Sequence, residues 1–110
     1  MGRRRRVGAG LGGPVVTAYE VIKDTTAPLG GTQRVVRFPN GYGASIVCGP
    51  HSYGGRDGLY ELAVIEFPGA GPSYSLTYET PITDDVLGYL TDAEVEATLV
   101  LIGALPEVGS

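Results

Sequence analysis

Two side chains in the middle of the chain, Cys48 and His51, are the residue types best suited to chemistry. Their spacing would suit two ligands of one metal ion, but a structural zinc site needs four and the chain has no second Cys or His. Only carboxylates could complete such a site. A Cys–His nucleophile pair is the other interpretation, yet Cys48 ends a predicted strand on the face assigned to the core, where a thiol behaves as an inert small hydrophobe. The sequence therefore predicts no metal site, no cofactor and no catalytic centre, so a non-enzymatic protein.

Cys48 directly precedes a Gly-rich segment, residues 49–58 (GPHSYGGRDG), and His51 lies within it. Such a segment can cradle phosphate, but neither GxxxxGK[ST] nor GxGxxG spacing is present. Exposed Tyr flanked by Gly is common at protein interfaces. The first interpretation of this segment is a flexible connection between hairpins with His51 and Arg56 at its surface, and the second is a partner-binding loop. Its candidate residues are Tyr42, His51, Tyr53 and Arg56.

Charge is divided unevenly along the chain, whose net charge is −4. After Arg6, four basic residues face all twelve acids, a net charge of −8. From Glu79 to Glu96 there are six acids and no Lys or Arg. This acidic run either imitates spaced phosphates for a basic partner or only solvates the starts of helices, and both interpretations stay open. Its candidate partner-binding residues are Asp84, Asp85, Asp92, Glu94 and Glu96.

Residues 1–14 (MGRRRRVGAGLGGP) are predicted to be a flexible basic arm, because Gly and Arg offer too little apolar surface to offset the entropy of ordering. Arg3, Arg4, Arg5 and Arg6 could each neutralise a phosphate, which makes them the candidate polyanion-binding residues. A solvated tail and a start codon placed too far upstream are the alternatives. One domain is predicted for residues 15–110.

Composition indicates a globular protein, with 43% hydrophobic and 18% charged residues. No apolar run reaches the roughly 18 residues that a membrane helix needs. A single Cys excludes an internal disulfide framework, and no apolar stretch of a signal peptide follows the basic start. We expect a cytoplasmic protein in a reducing compartment with no membrane partner.

Alternation and turn chemistry predict a meander of hairpins. Residues 15–22 and 33–38 are the first two predicted strands, and residues 39–41 (PNG) form a turn into a third at 43–48. Leu59–Phe67 is apolar at all but two positions, which is typical of a central strand buried on both faces. Ser73–Glu79 then alternates strictly, which predicts a strand with one buried and one solvated face, paired with Leu59–Phe67 as an antiparallel hairpin. Its side chains expected to be buried are Tyr74, Leu76 and Tyr78.

The last third of the chain predicts helices. Thr83 resembles the N-cap of a single turn that Gly88 would end. Thr91 and Glu94 form a capping box for a helix from about Asp92 to Ile102, with Gly103 as its C-cap. Its apolar stripe is Val95, Leu99 and Ile102. The predicted fold is α+β: a four- or five-stranded antiparallel sheet with one C-terminal helix packed on one face.

Three stretches together resemble a family of small bacteriophage and prophage proteins that have no assigned activity. They are FPNGYGASIV (38–47), SYGG (52–55) with GLYELAV (58–64), and TPITDDVLGYLT (80–91). The resemblance covers residues 37–106 and implies a phage origin and an accessory gene. It supplies no catalytic residues.

Two functions are compatible with these features. The first is a non-enzymatic module that binds a host protein in the cytoplasm, as an inhibitor or anti-defence factor. The alternative is a virion or assembly component whose arginine arm contacts a neighbouring subunit or nucleic acid. An enzyme is the third class, for which the sequence shows no paired base and nucleophile.

Overall fold

The computed structural model describes residues 3–7, 17–26 and 30–109. Within them the chain forms seven strands, a 3-10 turn (Gly55–Asp57) and one α-helix. These elements are β1 (Arg3–Val7), β2 (Thr17–Thr26), β3 (Thr32–Arg37), β4 (Tyr42–Cys48), β5 (Tyr60–Glu66), β6 (Ser75–Leu76), β7 (Leu87–Leu90) and α1 (Asp92–Gly103).

The strands form one antiparallel sheet in the order β1-β2-β3-β4-β5-β6, and β7 pairs with β5 on the side that β6 also borders. Helix α1 contacts β1, β2, β4, β5 and β7. The predicted α+β class, the hairpin order and the packed C-terminal helix are therefore confirmed. The sheet has more strands than the four or five expected, because the short strands β1 and β7 also pair with it.

The first of these strands lies in the predicted flexible arm. Arg3–Val7 pairs antiparallel with β2, from Arg3 opposite Val21 to Val7 opposite Thr17. The prediction of a flexible arm is wrong for these five residues, and the rest of residues 1–14 lies outside the described part of the chain. Backbone pairing explains the difference: the free edge of β2 offers hydrogen-bonding groups that any extended segment can satisfy, whatever its side chains.

The hairpin of β3 and β4 is built as predicted. The N–H of Gly41 donates to the carbonyl of Phe38 at 3.0 Å, and the N–H of Phe38 donates to the carbonyl of Tyr42 at 2.8 Å. Gly41 has φ 89°, which favours glycine at this position. The turn sets the register in which Val36 lies opposite Ala44.

Strand β5 is central, with Leu62, Ala63, Val64 and Ile65 all buried. Residues on both faces are covered, as the run Leu59–Phe67 predicted. One edge of β5 pairs with β4. The other edge pairs with β7 at Tyr60–Leu62 and with β6 at Ile65–Glu66.

Helix α1 covers the larger core. The capping box is present: the N–H of Glu94 donates to the Thr91 hydroxyl at 3.2 Å, and the N–H of Thr91 donates to the Glu94 carboxylate at 2.9 Å. Val95, Leu99 and Ile102 are buried, as predicted. They pack on side chains of β2, β3, β4 and β5 and on Phe38, which directly follows β3; the residues are Tyr19, Val21, Val36, Phe38, Ala44, Ile46, Leu62 and Val64. The C-cap is Ala104, one residue beyond the predicted Gly103.

The opposite face of the sheet carries a smaller cluster of Val35, Ile65 and Phe67, with Ile22 beside it. The Arg37 guanidinium lies over the Phe67 ring, 4.6 Å from its centroid. It also donates to the carbonyls of Ala70 and Gly71, at 3.1 and 3.2 Å, and to that of Gly69. One cation thus holds the β5–β6 loop against this face.

The apolar row on Ser73–Glu79 is not buried, contrary to the prediction. Tyr74, Leu76 and Tyr78 are 39%, 49% and 42% exposed, whereas Thr77 between them is buried. The alternation is real, but Thr77 points to the helix-covered side while the apolar row extends the less covered face. Alternation identifies two faces of a strand and cannot say which one the rest of the chain will cover.

The predicted helical turn after Thr83 is also wrong. The Thr83 hydroxyl donates to the carbonyl of Asp85 at 2.9 Å and accepts from its N–H at 3.1 Å, so it closes a local turn. Leu87–Leu90 then pairs with β5. These residues form backbone hydrogen bonds with the part of the β5 edge that β6 leaves free. Those hydrogen bonds outweigh a weak local preference for one helical turn.

Candidate functional site

The Gly-rich segment after β4 is a series of tight turns. The N–H of Ser52 donates to the carbonyl of Gly49, and the N–H of Gly55 donates to that of Ser52. The Ser52 hydroxyl also accepts from the N–H of Gly49 at 2.9 Å. A Cβ at Gly55 would lie 1.8 Å from the Gly49 carbonyl oxygen, so only glycine permits this backbone approach. The segment therefore presents its side chains from a closely packed backbone.

Two Tyr–Gly pairs from different parts of the chain pack reciprocally above this turn. The Tyr53 side chain lies against Gly88, where an added Cβ would be 2.7 Å from the Tyr53 Cβ. The Tyr89 side chain lies against Gly54, where an added Cβ would be 3.1 Å from Tyr89 Cδ1. The N–H of Tyr89 donates to the carbonyl of Tyr53 at 3.2 Å. Each glycine thus makes room for the tyrosine of the other pair.

Both tyrosines remain largely in solvent, with Tyr53 59% and Tyr89 60% exposed. Tyr89 also has φ 57°, the one positive φ of a non-glycine residue in the described chain. A bulky residue in this region is strained, and such strain is held at functional sites more often than elsewhere. The backbone is therefore held in a costly conformation that leaves an aromatic ring facing water.

A shallow cavity of about 240 Å³ adjoins Tyr89. Its lining is mixed in character: Pro50, His51, Ser52, Gly54, Arg56, Asp57 and Tyr89. We call the group His51, Tyr53, Arg56, Asp57 and Tyr89 the tyrosine-loop surface. It unites three of the residues predicted from sequence, His51, Tyr53 and Arg56.

Sequence reasoning missed Tyr89, which was placed beside a helical turn. The available signal was the pair Gly88–Tyr89, which repeats the adjacent Tyr and Gly of Tyr53–Gly54. It could not be used without knowing that β7 pairs with β5 and so brings the two pairs together.

Tyr42 lies elsewhere. It begins β4, is half-buried and packs against the helix-covered core. Tyr42 is therefore less exposed than its Gly-rich surroundings predicted, because its side chain packs against that core. Its N–H is held by the Asn40 side chain at 2.9 Å.

The acidic run does not form one continuous surface of unengaged carboxylates. Asp85 accepts a hydrogen bond from the N–H of Val86 at 2.7 Å, and Glu94 belongs to the capping box. Hydrogen bonding by Thr91 lowers the pKa of Glu94 below its ordinary value. Asp84 is exposed in the turn before β7. At least part of the run therefore serves the local structure.

Asp92 and Glu96 line a second cleft of about 190 Å³ between the start of α1 and the sheet. Arg34 and Tyr60 also line this cleft, and an Arg34 nitrogen lies 4.0 Å from a Glu96 oxygen. Hydrogen bonding to the Asp92 carboxylate raises the pKa of the Tyr60 phenol, and burial acts in the same direction. Across the cleft, Arg34 is therefore paired with Glu96, and the Tyr60 phenol is hydrogen-bonded to Asp92.

Cys48 and His51 are separated in environment. Cys48 is half-buried, and its Sγ lies 3.9 Å from the carbonyl oxygen of Gly55, whereas His51 is exposed at the cavity. In the described ranges no three His, Cys, Asp or Glu side chains converge as a metal site would require. The backbone of Arg3–Arg6 is part of β1 at the sheet edge.

No protein-family model, no curated protein and no solved structure matches this chain. The resemblance to small phage proteins therefore stays a prediction from the sequence. No helix among the described residues is long and apolar enough to cross a membrane.

Proposed function

We propose that the protein is a small non-enzymatic module that binds another protein through the tyrosine-loop surface. The observation that carries the proposal is Tyr89, a strained residue whose ring is 60% exposed beside a second exposed tyrosine. Tyr presents a large amphipathic area at low cost in side-chain entropy, which is why it is enriched at interfaces.

The surroundings of the two rings support this proposal. Arg56 and His51 offer donors and Asp57 an acceptor at the cavity rim, so polar contacts would surround an aromatic centre. That arrangement of an apolar centre and a polar rim is the usual anatomy of a protein interface. The tightly hydrogen-bonded backbone means that little ordering is needed on binding, which favours affinity.

The partner class follows from the resemblance to phage proteins. We propose that the partner is a host protein in the bacterial cytoplasm, which the module inhibits or redirects. The acidic body adds an electrostatic attraction toward partners with a basic surface, so binding should weaken as salt rises. Asp84, Asp85 and the exposed first turn of α1 contribute to this field.

The alternative of an assembly component with a reaching arginine arm is less favoured. Arg3–Val7 is a strand paired with β2, so an arm that contacts a neighbouring subunit or nucleic acid would first have to leave the sheet.

The test is affinity capture from a bacterial host lysate with matched baits. We expect one host protein to be retained by the unaltered chain and lost with Tyr53→Ala or Tyr89→Ala. Truncation of an interface tyrosine at a hot spot costs about 2 kcal/mol or more, which is roughly a 30-fold weaker Kd.

The control bait is Leu101→Ala, which truncates an exposed hydrophobic side chain on α1, 57% exposed and outside the tyrosine-loop surface. Circular dichroism of every bait establishes that it is folded. If Tyr53→Ala and Tyr89→Ala baits retained the same partner as strongly as the control, the proposed surface would be wrong.

A further inference from the structure

The outer edge of β6 ends the main path of the sheet. Ser75 and Leu76 pair with Glu66 and Ile65 of β5, and no strand of the described chain lies on their other side. The N–H of Thr77 donates to the carbonyl of Val64 at 3.0 Å and so points toward β5. Successive residues of an extended strand alternate the direction of their backbone groups, so those of Leu76, which precedes Thr77 in β6, point away from the sheet.

The side chains along this edge are apolar and exposed. Leu76 lies opposite Ile65 and therefore shares its face of the sheet. Tyr74 packs its ring against Phe67 on that face, with centroids 5.6 Å apart, and still remains 39% exposed. Of the six large hydrophobic residues that are exposed in the described chain, half belong to this one row: Tyr74, Leu76 and Tyr78.

Charge and proline, two of the usual protections of an edge strand, are missing from residues 73–78, whereas a third, shortness, is present because β6 has only two residues. Natural edges are blunted by Lys, Pro, bulges or inward charges, and the sequence SYSLTY has no charged residue and no Pro. The flanking Pro72 and Pro81 and the charge of Glu79 lie outside the row. An edge of this kind is a template for a further strand.

Residues 73–79 are self-complementary when read antiparallel about Leu76. A second copy in this register places Leu76 opposite its counterpart, Tyr74 opposite Tyr78 and Ser75 opposite Thr77. Glu79 meets Ser73, so no like charges face each other. The backbone groups of Leu76 point outward, as a hydrogen-bonded antiparallel pair requires, and continued alternation along the two new strands would place Tyr74 and Tyr78 in the same kind of pair.

We propose that two copies of the chain associate through β6, pairing edge to edge about a two-fold axis at Leu76. The two sheets become one continuous sheet, and the two rows of Tyr–Leu–Tyr lie side by side on the same face. Such an isologous contact closes on itself and leaves no further edge of this type. The proposed contact contains no residue of the tyrosine-loop surface. Dimerisation and partner binding can therefore be tested independently.

The first experiment measures molar mass by light scattering over a wide range of protein concentration. We expect the mass of the unaltered chain to rise toward twice that of one chain, and Leu76→Lys to remain monomeric because two ammonium groups would face each other at the axis. The control is Leu101→Lys, on the exposed side of α1, where Leu101 is 57% exposed. It should associate like the unaltered chain.

The second experiment does not depend on disrupting the edge. In a Cys48→Ser background, Leu76→Cys places two thiols at the axis, where hydrogen-bonded Cα atoms are about 5.5 Å apart. A short bis-maleimide should join two such chains rapidly, and should not join chains that carry Leu101→Cys.

A monomer mass at every concentration would overturn the proposal. So would a dimer that Leu76→Lys leaves intact or that Leu101→Lys disrupts equally, and so would equal cross-linking at positions 76 and 101.

Discussion

The side-chain amide of Asn40 donates a hydrogen bond to the backbone carbonyl of Ile102 at 2.9 Å, joining the β3–β4 turn to the end of α1. The same side-chain nitrogen donates to the backbone carbonyl of Leu105 at 3.0 Å. The backbone carbonyl of Asn40 accepts a hydrogen bond from the N–H of Val108 at 2.9 Å. The last carbonyls of a helix have no partner within it, so this turn supplies part of the C-terminal cap.

Replacing Asn40 should therefore destabilise the whole fold. Asn40→Asp keeps the oxygen that accepts from the N–H of Tyr42 but removes both donors and places a negative charge beside helix-end carbonyls. We expect a loss of about 2–3 kcal/mol in the free energy of unfolding, measured by urea denaturation. A loss confined to Asn40→Ala, with Asn40→Asp unchanged, would show that the donated bonds contribute nothing.

The docking of α1 depends on Leu99, which is fully buried against the sheet. Leu99→Ala should lower the free energy of unfolding by about 2–5 kcal/mol, through lost burial and the cavity left behind. The matched control is Leu101→Ala on the same helix, which is exposed and should change stability by no more than about 0.5 kcal/mol. Equal denaturation midpoints for the two variants would argue against the packed helix.

The reciprocal packing of the two Tyr–Gly pairs makes Gly88 sensitive to a single methyl group. In Gly88→Ala the new Cβ would lie 2.7 Å from the Tyr53 Cβ, so the loop must shift. Overpacking of this kind costs about 1–3 kcal/mol, which thermal unfolding would detect. Gly71→Ala is the control, because nothing lies within 4 Å of its added Cβ. Unchanged thermal stability of Gly88→Ala, or equal losses in the two variants, would contradict the reciprocal packing.

Tyr60 should be the tyrosine whose ionisation reports on the cleft at the start of α1. Its pKa is raised above the ordinary 10.0, first by hydrogen bonding to Asp92. A raised pKa means that the contribution to stability is complete below pH 10 and is lost as pH rises through the folded-state pKa. In an alkaline titration followed by NMR, the chemical shift of the Tyr60 ring carbon that bears the hydroxyl should therefore change at a higher pH than that of a tyrosine with the ordinary pKa.

Asp92→Asn should lower that pKa toward the ordinary value, because the charged acceptor is gone. Glu94→Gln, in the same turn but committed to the capping box, should leave it unchanged. An identical titration curve for Tyr60 in Asp92→Asn would refute the assigned cause.

Much of this fold could be predicted because its signals are local. The PNG turn, the Thr91–Glu94 capping box and the apolar stripe of α1 each act within a few residues, so their chemistry can be read directly along the chain. The two-sided strand β5 was equally evident, since burial on both faces leaves no regular polar position.

The sequence by itself thus determined the class of the fold, its hairpins and its terminal helix. Only the tertiary structure decided that Arg3–Val7 and Leu87–Leu90 are strands, because each pairs with a free edge formed by distant residues. It also decided that Tyr74, Leu76 and Tyr78 stay exposed and that Tyr53 meets Gly88. The physical reason is that backbone edges and sheet faces are shared between segments far apart in the chain, so no local pattern records which of them will be occupied.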